Sequence, residues 1–182
     1  AKNGAKVVGI ARREDKLKHW CETCEGETSY YLADVSNRKN IKNIVLDIID
    51  KEGEPDILVN AAGINTREHA DDVTLEGWDK TLDLNLSTPF FMAQSVIEGM
   101  KKKNWGRIIN YASLASRRAL PSSISYGASK GGIEQLTRAM AEAWSKYGIN
   151  TNAIAPGFFP TELTVLSLIL ISEPTRHGLI AY

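Results

Sequence analysis

The sequence has no excess charge of either sign, few cysteines and no long apolar run. Lysine plus arginine and aspartate plus glutamate number 22 each in 182 residues, so no global field draws the chain to nucleic acid or to an anionic membrane. The expected partner is a small molecule held in a pocket, with no nucleic acid and no membrane. Only two cysteines occur, Cys21 and Cys24, which excludes a disulfide framework and makes a reducing cytoplasm the expected compartment. With His19 they offer three zinc ligands where a structural site needs four, and no second Cys/His cluster follows. The expectation is no metal and two ordinary thiols near the end of a surface helix. The longest apolar run, near 163–171, is far short of the roughly 20 residues that span a bilayer. The opening residues Ala1, Lys2, Asn3 and Gly4 hold no apolar signal core.

What is present is an alternation of strand-like and helix-like patterns, which argues for one α/β domain with a parallel sheet and crossover helices. Residues 6–11 (KVVGIA) read as a buried strand, 14–24 as a short polar helix and 28–33 as a second strand. Ser36 reads as an N-cap, and Ile41, Ile44, Val45, Ile48 and Ile49 then form one apolar helical face that Gly53 stops. Residues 56–60 (DILVN) follow as a strand, and 78–101 as a long helix that Pro89 must perturb. Residues 107–113 (RIINYAS) read as a strand, 125–147 as a helix closed by Gly148, and 149–155 as the last strand. The fold class is α/β, doubly wound.

The strongest chemical signal is Tyr126 followed four residues later by Lys130. On a helix these side chains share a face. A free phenol titrates near 10, so proton transfer at neutral pH asks for a downshift of about 3 units, or about 4 kcal/mol. One positive charge about 4 Å away supplies that amount at an effective dielectric near 20. The spacing alone is common, but it has company. Ser113 ends an earlier strand, Asn60, Ala61, Ala62 and Gly63 end another, and Asn85 lies within the long helix. Pro156 and Gly157 follow the last strand, with Phe159 and Thr161 just beyond. Open α/β sheets bind their ligands at such strand ends.

With these motifs in this order, the chain resembles the single-domain short-chain dehydrogenase/reductases from about residue 2 to 164. Its gluconate 5-dehydrogenase-like and 3-oxoacyl-carrier-protein reductase-like branches are the nearest. The family's Asn-Asn-Ala-Gly stands here as Asn60, Ala61, Ala62 and Gly63, a departure at its second position. The resemblance implies an oxidoreductase with Asn85, Ser113, Tyr126 and Lys130 as catalytic tetrad. Tyr126 would be the general acid/base, Ser113 would orient the substrate carbonyl, and Lys130 would lower the phenol pKa and hold the nicotinamide ribose. Asn85 would position a water. Asp34 and Val35 would flank the adenine, Asn60 would meet the adjacent ribose, Phe159 and Thr161 would lie at the nicotinamide, and Ala61, Gly63, Pro156 and Gly157 would also contact the cofactor. It also implies a homo-oligomer, dimer or tetramer, when full length.

Cofactor choice has a physical reading. An acid at the end of the second family strand suits the ribose hydroxyl of NAD, whereas arginine suits the 2′-phosphate of NADP. Here Ala11 stands at that place and Arg12 and Arg13 follow, so NADP(H) is expected over NAD(H). The family's glycine-rich phosphate turn is absent, and the resemblance implies a sheet lacking its first strand–helix unit and its C-terminal strand. Residues 166–176 (LSLILISEPTR) resemble a translated sequencing-library adapter, so the domain is expected over 1–165 with 166–182 as a non-native tail. The chain as written is expected to be inactive. Residues 63–67 (GINTR) and 158–163 (FFPTEL) resemble the sugar-acid oxidoreductases of the family, which implies a sugar acid or polyol, and Arg67, Arg117 and Arg118 would suit the carboxylate of a sugar acid. A 3-oxoacyl-carrier-protein reductase is the alternative. A non-catalytic nucleotide-binding scaffold is the alternative of another class.

Overall fold

The computed structural model describes residues 1–157. Phe159, Thr161 and the expected tail 166–182 lie outside the described residues. In chain order the elements are β1 (Val7–Ala11), α1 (Glu14–Thr23), β2 (Thr28–Leu32), α2 (Arg38–Glu52) and β3 (Ile57–Asn60). Then follow α3 (Leu75–Leu82), α4 (Thr88–Lys103), β4 (Gly106–Tyr111), α5 (Ile124–Trp144) and β5 (Ile149–Ile154). Every strand pairing among them is parallel, as helical crossovers require. This is the expected α/β class. Among the described residues no helix is long and apolar enough to cross a membrane, and no group of three or more His, Cys, Asp and Glu is placed to hold a metal.

The core forms where apolar periodicity places it. Ile41 and Val45 of α2 pack against Met92, Val96 and Met100 of α4, above Ile108 of β4 and Ile149 of β5. Gly53 closes α2 at φ 89°, a left-handed value that favours glycine. Three local expectations need correction. Ser36 is not the N-cap of α2; Asn37 is. The Ser36 hydroxyl and amide both donate to Asp34 Oδ1, at 2.7 and 2.9 Å, and this Asx turn ends β2 instead of starting the helix. Ser113 does not end β4, which stops at Tyr111, but caps a 3₁₀ turn over Leu114–Ser116. The long helix is not continuous: a π turn over Asp83–Ser87 separates α3 from α4, and Pro89 opens the second piece.

The sheet is interrupted. β1 pairs with β2, and β3, β4 and β5 pair in that order, but no hydrogen bonds join β1 to β3. Between them runs a cleft of about 680 Å³, lined by Val8 and Ile10 on one side, Ile57 and Val59 on the other, and Ile48 and Met92 from the helices. Ile57 and Val59 are 51% and 50% exposed, although strands of a parallel sheet are normally covered on both faces. Native interiors seldom hold voids larger than a water molecule. Among the described residues the cleft therefore has the character of a strand position, with an unpaired backbone edge and apolar side chains on either side.

Candidate active site

Tyr126 and Lys130 occupy the first two turns of α5. Lys130 is 5% exposed; its ammonium lies 5.7 Å from the centre of the Tyr126 ring and donates to the Tyr111 carbonyl at 2.6 Å. A β-carbon on Gly132 would stand 3.0 Å from the Leu86 side chain of the π turn, tighter than ordinary contact, so α5 packs closely on that turn. Burial pulls the Lys130 ammonium down to about 8. The folded chain thus sheds this proton before the unfolded chain does. The group's contribution to stability rises between about 8 and the ordinary 10.5, while chemistry that needs the ammonium fails over the same range. In the whole protein, any kcat/KM that depends on this ammonium should fall with an apparent pKa near 8. Lys130→Arg, whose charge persists, should move that fall upward. A profile flat to the ordinary lysine range would contradict the assignment.

Ser113 is held beside this helix by a reciprocal cap. Its Oγ accepts from Ala115 N at 3.2 Å, its own amide donates to Ser116 Oγ at 3.2 Å, and Ser116 Oγ donates to the Lys130 carbonyl at 2.8 Å. The cap thereby pins the Ser113 turn to the turn of α5 that carries Lys130. Because the Ala115 bond uses an acceptor position, the Ser113 hydroxyl proton is left for another oxygen.

Asn85 sits in the π turn, 1% exposed. Its amide nitrogen donates to the Ile64 carbonyl at 2.8 Å and to Ser129 Oγ at 3.1 Å, and its oxygen accepts from Ile64 N at 2.9 Å. Both N–H groups are committed to protein, so the side-chain amide has none to give a water. Gly63 backs onto the same place: a β-carbon there would stand 3.3 Å from Asn85 Oδ1 and 3.7 Å from Lys130 Nζ. Gly63, Asn85 and Lys130 therefore converge.

Of the residues expected at a dinucleotide, Val35, Asn60 and Ala61 line the cleft between β1 and β3. Asn60 Nδ2 donates to Asn110 Oδ1 at 2.9 Å and to the Pro89 carbonyl at 3.3 Å, which leaves its amide oxygen uncommitted by these bonds. Asn110 in turn donates to Thr137 Oγ1 at 2.9 Å, a buried polar bridge from β3 through β4 to α5. Arg12 pairs with Asp34 at 3.8 Å, both half-exposed. Ser36, and to a smaller degree Arg12, hold the Asp34 carboxyl below its ordinary range. Arg117 pairs with Glu134 at 3.1 Å, beside Arg138. Pro156 and Gly157 follow β5 as expected. Residue-by-residue reading missed Ser116, Ser129, Asn110 and Thr137. Only Ser116, three residues after Ser113 at capping-box spacing, left a local signal.

A family model described as short chain dehydrogenase matches residues 1–167. An NAD-dependent glycerol dehydrogenase of Listeria innocua is 37% identical over 163 residues, covering 90% of this chain and 64% of its own length. A 3-oxoacyl-[acyl-carrier-protein] reductase of Vibrio cholerae is 32% identical over 164 residues, covering 90% of this chain and 67% of its own. A solved gluconate 5-dehydrogenase of Burkholderia cenocepacia, in complex with NADP and tartrate, superposes with a TM-score of 0.85 at 32% identity. It covers 95% of this chain and 68% of that one. The chain thus spans about two thirds of the length of the relatives it matches.

Proposed function

The chain belongs to the short-chain dehydrogenase family, and on that premise we propose that the whole protein moves a hydride between NADP(H) and a carbonyl or secondary alcohol, with a sugar acid or polyol as substrate. The observation that carries this reading is the Lys130 ammonium, buried beside the Tyr126 ring with one carbonyl as hydrogen-bond partner. Such a charge is costly to bury unless it stabilises a developing anion close by. Tyr126 is the general acid/base: its hydroxyl gives a proton to the carbonyl oxygen during reduction and recovers it during oxidation. Lys130 stabilises the phenolate left behind. Ser113 donates its free hydroxyl proton to the same substrate oxygen and orients it. Asn85 acts by closing the loop after β3 on the catalytic helix.

The residues present fit a nicotinamide dinucleotide. Two N–H groups of the Lys130 ammonium remain after its bond to Tyr111 and suit ribose hydroxyls, and the uncommitted Asn60 oxygen suits another. Gly63 leaves open a space beside Lys130 that a side chain would fill. Asp34, Val35, Ala61, Pro156, Gly157, Phe159 and Thr161 would complete the contacts. When bound, the nicotinamide supplies or accepts the hydride.

NADP(H) over NAD(H) rests on Arg12 and Arg13 after Ala11. The Arg12–Asp34 pair is exposed and worth at most about 1 kcal/mol, little enough for Arg12 to turn to a phosphate. Replacing Ala11 with Asp and Arg12 with Gln should shift preference from NADPH to NADH by about 100-fold in kcat/KM, the scale of a single bidentate, charge-assisted arginine–phosphate interaction. Steady-state kinetics with both cofactors check it, and a wild-type protein that already prefers NADH would contradict it.

Oxo-sugar acids assayed beside acetoacetyl thioesters decide the substrate, and turnover of the thioesters alone would favour the carrier-protein reductase. A scaffold without turnover has no use for a buried lysine beside Tyr126. The domain is placed at 1–165 and 166–182 is taken as non-native, a reading that re-sequencing of the source locus tests directly. The whole protein is taken as a homo-oligomer.

A further inference from the structure

We propose that Ser129 is a positioning residue for the proton-transfer centre, fixing the orientation of the Asn85 amide and through it the loop after β3. Ser129 is wholly buried. Its one hydroxyl proton is committed to the Tyr126 carbonyl at 2.7 Å, three residues back in α5. The Ser129 oxygen can therefore only accept, and it accepts from Asn85 Nδ2 at 3.1 Å. That sets the sense of the amide. Nδ2 is directed to Ser129 and to the Ile64 carbonyl, and Oδ1 to Ile64 N. A turned amide would set its oxygen against two acceptors at once, Ser129 Oγ and the Ile64 carbonyl.

The consequence is a continuous path from the backbone of Tyr126 through Ser129 and Asn85 to Ile64. Gly63, one residue before Ile64, closes on Lys130. Ser129 thereby holds the peptide that bears the phenol in register with the loop that faces the ammonium, without itself touching substrate. Loss of its oxygen leaves one Asn85 N–H buried and unpaired and removes the tie between the Asn85 amide and α5, so that only the two bonds to Ile64 hold it. Small displacements of reacting groups reduce turnover steeply.

The inference rests on the proposed role of the Tyr126 centre, and a double-mutant cycle separates the two. In the whole protein, Ser129→Ala should lower kcat about tenfold and leave the KM for cofactor within about twofold. The same change added to Asn85→Ala should cost almost nothing more, because its effect is already spent. Hydrogen exchange of the Asn85 side-chain amide, which does not depend on turnover, should quicken in Ser129→Ala. Equal losses in both backgrounds, or unchanged exchange, would overturn the proposal. If Ser129→Ala does not fold, Ser129→Cys, which keeps a weak hydrogen-bonding atom, should show intermediate turnover and intermediate exchange, and a cysteine variant with wild-type values in both would overturn it. Failure of the Tyr126 assignment itself would show differently, as full turnover in Tyr126→Phe.

Discussion

Supplying a strand that fills the cleft between β1 and β3 is expected to convert the 182-residue chain from a weakly ordered polypeptide into a cooperatively folded one. Among the described residues the facing edges of β1 and β3 pair with nothing across the cleft, and unpaired strand edges invite aggregation. The cleft also leaves Ile57 and Val59 half-exposed. A strand of about five apolar residues inserted there buries side chains worth roughly 2 kcal/mol each, on the order of 10 kcal/mol in all. That equals the whole stability of a typical domain. Made alone, the chain should melt without a sharp transition and should not bind NADPH. Fused ahead of Ala1 to an apolar strand, a glycine-rich turn and a helix, it should unfold in one transition and bind cofactor, because the helix N-terminus adds a phosphate site. Sharp thermal unfolding and micromolar NADPH binding by the unfused chain would contradict this.

Tyr126→Phe is expected to reduce kcat in the whole protein by about 10²–10⁴-fold, the usual contribution of a positioned proton donor. The KM for cofactor should change little, because the hydroxyl acts on the transition state and not on ground-state binding. The substitution keeps the ring, so its approach to the Lys130 ammonium persists and the fold should not suffer. Turnover equal to wild type would remove Tyr126 from the mechanism, and with it the reason for burying Lys130.

Much of this was legible along the chain because it depends on local periodicity. The spacing of Ile41, Val45 and Ile48 required a helix with one apolar face, and Gly53 its end. The i, i+4 spacing of Tyr126 and Lys130 required a shared face wherever α5 packed. What escaped depends on partners distant in sequence. Ser36 has N-cap chemistry, but Asp34 two residues earlier captures its hydroxyl first. Pro89 announces a disturbance of the long helix, yet the π turn falls before it. There the Asn85 side chain is tied to Ile64, and the single Thr88 hydroxyl proton is shared between the Val35 and Asp83 carbonyls, at 2.8 and 3.0 Å from Oγ1. The bridge from Asn60 through Asn110 to Thr137 joins three elements far apart along the chain, and no window of sequence reveals it. The break between β1 and β3 was expected from family resemblance, not from any residue pattern.

The most direct test of the Tyr126 centre is a single turnover of the whole protein with NADPH deuterated at the transferring position and an oxo-sugar acid, with the product read by mass spectrometry. The account predicts one deuterium on the new carbinol carbon, formed rapidly by the wild type and at least about 100-fold more slowly by Tyr126→Phe, with NADPH binding equal in the two proteins. Deuterium appearing at the same rate in both, or in neither with any carbonyl offered, would contradict it.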